Sequence, residues 1–322
     1  MIQDLVLLND WHCVAFAAQL GEGQMLPARL LGEDIVLWRL NGRVMAWQDL
    51  CIHRGAKLSL GRISGETLIC PYHGWTYNSE GRCVKMPAHP DQTPPAKAVV
   101  KTYQVCERYG MVWVCPGEPA NEPPPFEEWD DASFRKVACG PYAVPVSAPR
   151  LVENFLDVAH FPYVHEGYLG DPQYPEIADY EVSTTGAGVL AENIRVYQPD
   201  PDGTGIGREV TYTYKVPRPL TAYFTKSGEG PKFAIFFTIT PVTPLESVGW
   251  MWVCMNYAHD LPEVEVRGFQ DMIFSQDVPV VASQRPELLP LDLQAELHLR
   301  SDKTAIAYRR WLNELGLTFG TA

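Results

Sequence analysis

Residues 51 to 75, CIHRGAKLSLGRISGETLICPYHGW, hold two short metal-ligand patterns, Cys51-x-His53 and Cys70-x-x-His73. Two thiolates and two imidazoles suit either a closed tetrahedral zinc site or a two-iron, two-sulfur cluster with cysteines on one iron and histidines on the other. The spacing favours the cluster. Zinc fingers keep like ligands together, as Cys-x-x-Cys and His-x3-His, whereas each loop here supplies one of each kind. Replacing two thiolates by neutral imidazoles lifts such a cluster to roughly −150 to +300 mV. With every iron position filled it passes single electrons and does not activate oxygen itself, so a second site is expected.

The run ENFLDVAHFPYVH supplies one, placing Glu153, Asp157, His160 and His165 within thirteen residues. Two histidines and a carboxylate on one face of ferrous iron leave the remaining positions open to oxygen beside a substrate. A straight helix does not align residues five apart. Pro162, expected to end or kink a helix that buries Leu151, Phe155 and Val158 or Ala159, would let His165 swing back beside His160.

Together the loops CIHRGAKLSLG and CPYHGW and the Glu-x3-Asp-x2-His-x4-His run resemble the Rieske non-haem iron oxygenases. The resemblance runs from WHCVAF to DKTAIAYRRWLNEL and is to the short, single-subunit kind that includes the vanillate and dicamba O-demethylases and the methylxanthine N-demethylases. The quinol-oxidising Rieske proteins are less similar, since they carry an extra cysteine in each loop. Here those neighbours are Arg54, Gly55 and Ala56, and Tyr72 and Gly74. The resemblance implies a [2Fe-2S] cluster on Cys51, His53, Cys70 and His73, and a mononuclear Fe(II) on His160, His165 and Asp277, with Asp271 the competing carboxylate. It makes Asp157 a bridge from His160 or His165 to His73 of the next subunit in a head-to-tail homotrimer. Asn154 lies near the iron without coordinating it.

Such a protein is a terminal oxygenase, inserting oxygen from O2 into a methyl C–H bond of an aromatic or heteroaromatic compound so that the product loses formaldehyde. No G-x-G-x-x-G fingerprint appears, so electrons must come from a separate NAD(P)H-dependent reductase, with or without a ferredoxin. Two other readings stay open. One keeps both metals but hydroxylates a ring or side chain, including cis-dihydroxylation. The other is an electron-transfer iron–sulfur protein, which has no use for two open-site histidines and a large second domain.

The elements that must position these residues divide the chain. Short strands with turn signals, DIVLW, RVMAWQ, ETLIC and GMVWVC, with Asn41-Gly42, Ser64-Gly65 and Glu80-Gly81 as turns, predict a small all-β domain over residues 1–120. Five prolines and an acidic bias in CPGEPANEPPPFEEWDD mark the boundary. Residues 121–322 predict the catalytic domain: a helix, then antiparallel strands in REVTYTYKV, KFAIFFTITP and SVGWMWVCMNY, then helices over VEVRGFQDMIFSQDVPVVASQ and SDKTAIAYRRWLNELG. The whole is α+β, an all-β cluster domain followed by a helix-grip domain. Pro279 is expected to distort the helix just past Asp277.

The substrate pocket is expected from the sheet strands and the loops between residues 198 and 231, with Tyr223, Phe224, Phe236, Phe237, Trp250 and Trp252 as candidates, none of them catalytic. His12, His89, His259 and His298 have no partner pattern and read as structural or surface residues, and the other cysteines, Cys83 included, as buried thiols.

The net charge of −13 argues against nucleic acid, which is held by neutralising phosphates. The sign reverses between Arg43 and Lys85, where six basic residues face three acidic ones, a pattern that would steer an acidic redox partner. No apolar run reaches the ~18 residues of a membrane span. MIQDLVLLND has no basic start or cleavage site, and the cysteines are not spaced as a disulfide framework, so a cytoplasmic location is expected.

Overall fold

The computed structural model describes residues 4–201, 203–227 and 232–322, and the chain forms two compact units, Met1–Pro123 and Pro124–Ala322. The first opens with a short helix, α1 (Leu5–Leu8), and four strands, β1 (His12–Phe16), β2 (Met25–Leu30), β3 (Glu33–Leu40) and β4 (Arg43–Gln48). Four very short strands follow, β5 (Arg62–Ser64), β6 (Thr67–Ile69), β7 (Thr76–Tyr77) and β8 (Cys83–Lys85), and β9 (Thr102–Arg108) and β10 (Met111–Cys115) complete the unit. All pairs are antiparallel, in a six-stranded sheet ordered β1-β10-β9-β4-β3-β2 and a small sheet ordered β5-β6-β7-β8. The β3–β4 hairpin turns on Asn41 and Gly42, both at positive φ, as the Asn-Gly pair demands.

Residues 51–61 link β4 to β5, and residues 70–75 link β6 to β7. These two loops share a frame. In each, the cysteine N–H donates to the carbonyl five residues on, Ala56 at 2.8 Å and Trp75 at 2.9 Å, and the glycine four residues on donates back to the cysteine carbonyl. Those glycines, Gly55 and Gly74, have φ of 72° and 69°, a conformation that a side chain resists. Behind the loops the core includes Trp38, Trp47, Leu58, Leu68 and Tyr77, with the two tryptophans edge-on at 4.9 Å.

In the second unit, β11 (Arg135–Val144) precedes helices α2 (Ala148–Leu156) and α3 (Phe161–Val164). Then come β12 (Glu181–Thr185), β13 (Gly188–Gln198), β14 (Arg208–Arg218), β15 (Thr221–Ser227), β16 (Phe233–Thr243) and β17 (Glu246–Met255), and helices α4 (Glu263–Ser283) and α5 (Lys303–Leu315). One antiparallel sheet of order β11-β17-β16-β15-β14-β13-β12 carries the helices. Phe155 of α2 fixes that packing through Phe237, Phe224 and Tyr214, at ring separations of 5.1 to 5.8 Å. Gly316, left-handed at φ 77°, ends α5.

One expectation about proline is corrected. The first helix stops at Leu156, before Pro162: Asp157 turns extended and its Oδ1 accepts the Ala159 N–H at 2.7 Å, an Asx turn that competes with the helix. Pro162 instead sits in the first turn of α3, where its missing N–H costs nothing. Pro279 lies inside a continuous 21-residue α4. Among the described residues, no helix is long and apolar enough to cross a membrane.

Candidate metal centres and cavity

In the first unit, Cys51 and Cys70 are each 2 % exposed. Tyr77, whose phenol burial and the Cys51 thiol keep protonated, shares a hydrogen bond of 3.1 Å with Cys51 Sγ. The imidazoles are less buried. His53 and His73 meet edge-on at 4.6 Å, His53 stacks on Trp75 at 4.5 Å, and His73 is exposed. His53 Nδ1 is buried without a hydrogen-bond partner, as a nitrogen reserved for a metal would be. Among the described residues, no three of these four donors close to within 4.8 Å of one another, whereas a single zinc would gather all four around bonds of ~2.0–2.3 Å. Two thiols and two imidazoles that do not close to single-ion size are the donor set of a two-iron cluster.

In the second unit the only donor group that closes to single-ion size, among the described residues, is His160, His165 and Asp277. His160 Nε2 and His165 Nε2 lie 3.2 Å apart, and Asp277 Oδ1 is 3.4 and 3.2 Å from them. The three atoms form one small triangle, so a single ion held by them would keep its other side open. Local structure explains the convergence. His160 precedes α3 and His165 follows it, so one helical turn folds them together. Asp277 belongs to the buried stripe of α4, with Val266, Gln270, Ile273, Phe274 and Val281.

The far side of each ring is also held. His160 Nδ1–H donates to Asp157 Oδ2 at 3.2 Å and His165 Nδ1–H to Gln276 Oε1 at 2.8 Å, leaving both Nε2 atoms turned inward. Burial opposes charge on His160, but Asp157 and Asp277 raise its pKa to about 9; the same histidines hold Asp277 below the usual carboxylate range despite its burial. Asn154 Nδ2 is 3.5 Å from Asp277 Oδ1. Asp271 lies on the exposed side of α4 and accepts from Tyr142 at 2.6 Å, away from the histidines. Glu153 is turned from them too: Arg309 pairs with both its oxygens at 2.5 and 2.7 Å, and Glu296 joins Arg309 to Arg150.

These donors open on a cavity of about 450 Å³ between the sheet and helices α2 and α4. Of the six aromatic candidates, Phe224 and Phe237 line it and Tyr223, Phe236, Trp250 and Trp252 do not. Strand alternation is the reason. Tyr223 pairs with Phe236 across β15 and β16, and Phe236 stacks on Phe126 at 4.6 Å on the far face. In β17 it is Met251, Val253 and Met255 that reach the cavity. Tyr212, Tyr214 and Gln198, inside the expected stretch but not among the six candidates, also line it. Of the loops expected to contribute, residues 202 and 228–231 lie outside the described residues.

His12 is buried and bonded to the Leu7 carbonyl at 2.7 Å, His89 and His259 are exposed, and His298 is half-buried. None of the eight cysteines forms a disulfide.

The chain matches the Rieske [2Fe-2S] domain over residues 10–104 and the vanillate O-demethylase oxygenase C-terminal domain over residues 144–318. It is 31% identical to methylxanthine N1-demethylase NdmA of Pseudomonas putida, covering 96% of this chain and 89% of that one. The structure of NdmA superposes with a TM-score of 0.82 over 96% of this chain and 90% of its own. Methylxanthine N3-demethylase NdmB of P. putida is 30% identical over 99% of this chain and 92% of its own. The oxidoreductase NdmD, also of P. putida, is 42% identical over 36% of this chain and 20% of its own.

Proposed function

The chain belongs to the Rieske non-haem iron oxygenases, and from that membership we propose that it is a terminal oxygenase removing N- or O-methyl groups from an aromatic or heteroaromatic substrate. The observation that carries this reading is the convergence of His160, His165 and Asp277 at the wall of an apolar cavity. Cys51, His53, Cys70 and His73 hold the [2Fe-2S] cluster, and His160, His165 and Asp277 the mononuclear iron. When bound, the cluster supplies electrons singly and the iron supplies oxygen activation.

The protein's own residues set the conditions. Asp157 and Gln276 orient the two imidazoles, Asn154 steadies the Asp277 carboxylate, and the apolar wall excludes water and holds a flat ring. One O2, two electrons and two protons convert the substrate methyl group to hydroxymethyl and release water. The hydroxymethyl product then breaks its C–N or C–O bond, leaving formaldehyde and an N–H or O–H group. Asp157, 38% exposed while it holds His160, is suited to reach His73 of a second copy in a homotrimer. Enzymes of this family work with an oxidoreductase; here it is an NAD(P)H-dependent reductase, acting directly or through a ferredoxin. Eight unpaired cysteines accord with the cytoplasm.

The test is turnover with such a reductase, assaying formaldehyde and iron together. About three irons per chain and stoichiometric formaldehyde are expected. About two irons with an intact cluster spectrum, or oxidised product without formaldehyde, would sink the reading.

A further inference from the structure

The cavity beside the triad has a rim of its own. Most of its lining is buried, but Tyr168 and Phe269 line it while 44% and 46% exposed, so they stand where the cavity meets solvent. Their rings meet edge-on, with centroids 6.2 Å apart. Glu265, one helical turn before Phe269 on α4, and Leu261, just ahead of that helix, continue the same exposed edge.

Both rings are mounted on the backbone that carries the triad. Tyr168 follows His165 by three residues, and Phe269 precedes Asp277 by eight on one continuous helix. The turn that bears Tyr168 is braced: the N–H groups of Tyr168 and Leu169 both donate to the His165 carbonyl at 3.0 Å, and the Gly167 N–H donates to the Gly170 carbonyl at 2.9 Å. Gly170 packs so closely on α3 that a Cβ there would lie 2.5 Å from the Pro162 nitrogen. On the other side, the Arg135 guanidinium donates to the carbonyls of Ala258 and Leu261 at 2.5 and 2.7 Å, fixing the segment that leads into α4.

Neither side can swing back as a lid without dragging a triad residue with it. The side chains can turn, because exposed rings change rotamer far faster than backbone segments move. An entrance closed by two rings in contact admits a ligand at the rate the rings part. That barrier acts on entry and exit alike, since it leaves the free and bound states as they are.

We propose that Tyr168 and Phe269 form a side-chain gate at the mouth of the cavity and determine specificity by cross-section at entry. Narrow, flat molecules pass edgewise between the rings, and broader ones wait for the rings to part. The selection is kinetic and applies to whatever molecule is oxidised inside, so it goes beyond the demethylase reading and does not depend on it.

The experiment follows two fluorescent probes, 1-methylindole and the broader 1-methyl-2-phenylindole, by stopped-flow quenching as they enter the metal-loaded protein. Tyr168→Ala and Phe269→Ala should each raise kon and koff of the broader probe together by ~10-fold, keep its Kd within about threefold, and alter methylindole by less than about twofold. The double variant should gain little over either single one, because one missing ring already opens a gate made of two, whereas independent effects would multiply. Val264→Ala, 70% exposed on α4 and outside the cavity lining, should change none of these rates. Unchanged iron content and cluster absorbance establish that the variants are folded. Unaltered kon for the broader probe in both single variants, multiplied gains in the double variant, or a weaker Kd carried by koff alone would overturn the gate. Equal acceleration of both probes, which marks a mouth without selection, would overturn it too, as would failure of the broader probe to bind any of these proteins. Formaldehyde release plays no part in these rates, so the gate and the demethylase reading fail separately.

Discussion

The two centres treat their ligands in opposite ways. At the cluster loops the thiols are buried, His53 is half-buried and His73 is exposed. At the triad His165 is 1% exposed and Asp277 9%, and the donors converge toward a cavity instead of the surface. A group that exchanges electrons with another protein must present one edge to it. A group that commits oxygen to a C–H bond must be sheltered from water. The supporting contacts differ as well. Each cluster loop is closed by its own backbone, whereas the triad joins His160 and His165 to a carboxylate on a helix more than a hundred residues further along.

The sharpest way to break this contrast is at the long-range ligand. Asp277→Ala should abolish the mononuclear iron and all detectable turnover while leaving the cluster's visible absorbance and iron unchanged; Asp271→Ala should leave both metals and activity in place. Turnover in the first variant would remove Asp277 from the ligand set. Next in size is the buried network behind α2. Arg309→Met leaves Glu153 short of its main partner, and urea unfolding of the second unit should show a loss of about 3 kcal/mol.

Gln276→Leu frees the His165 ring and should weaken iron binding ~10–100-fold in a competition titration, with Gln276→Glu recovering most of it. Tyr77→Phe acts on the other centre. It removes a hydrogen bond to Cys51 Sγ and should lower the cluster potential by ~50 mV, the one-electron equivalent of about 1 kcal/mol, without altering iron content.

The smallest effect concerns pH. Glu296 is held below the usual carboxylate range because hydrogen bonds from Arg150 and Arg309 outweigh its burial. A depressed carboxylate stabilises the fold above its unfolded pKa of ~4.3, and that contribution is lost as pH falls through the folded value. The Tm of the wild type should therefore drop between about pH 5 and 3 more than that of Glu296→Gln.

What the sequence made legible follows the same divide. Cys51, His53, Cys70 and His73 form one short local pattern, and the family resemblance supplied Asp277. The buried stripe of α4 offered a second signal, a carboxylate at a position where periodicity asks for an apolar residue. Asp157 was read in its place, but its turn was not, since an Asx turn and a helix compete for the same residue types. The cavity wall was the least legible. Tyr223 and Phe224 are equally aromatic neighbours, and only the register of β15 against β16 decides which of them faces inward. Gln276, Tyr212 and Tyr214 carry no motif, and their roles appear only once helix phase and strand face are fixed.

The twin cluster loops have one more consequence. Their frame is set by a cysteine and a glycine four residues apart, and between them, beside the histidines, Ile52 and Tyr72 are 47% and 65% exposed. The frame that grips the metal and the surface a redox protein would touch are therefore written in different residues of the same few positions. Choice of electron donor can be retuned at Ile52 and Arg54 without replacing a ligand, whereas Tyr72, whose ring lies 3.9 Å from that of His73, ties the surface to the cluster.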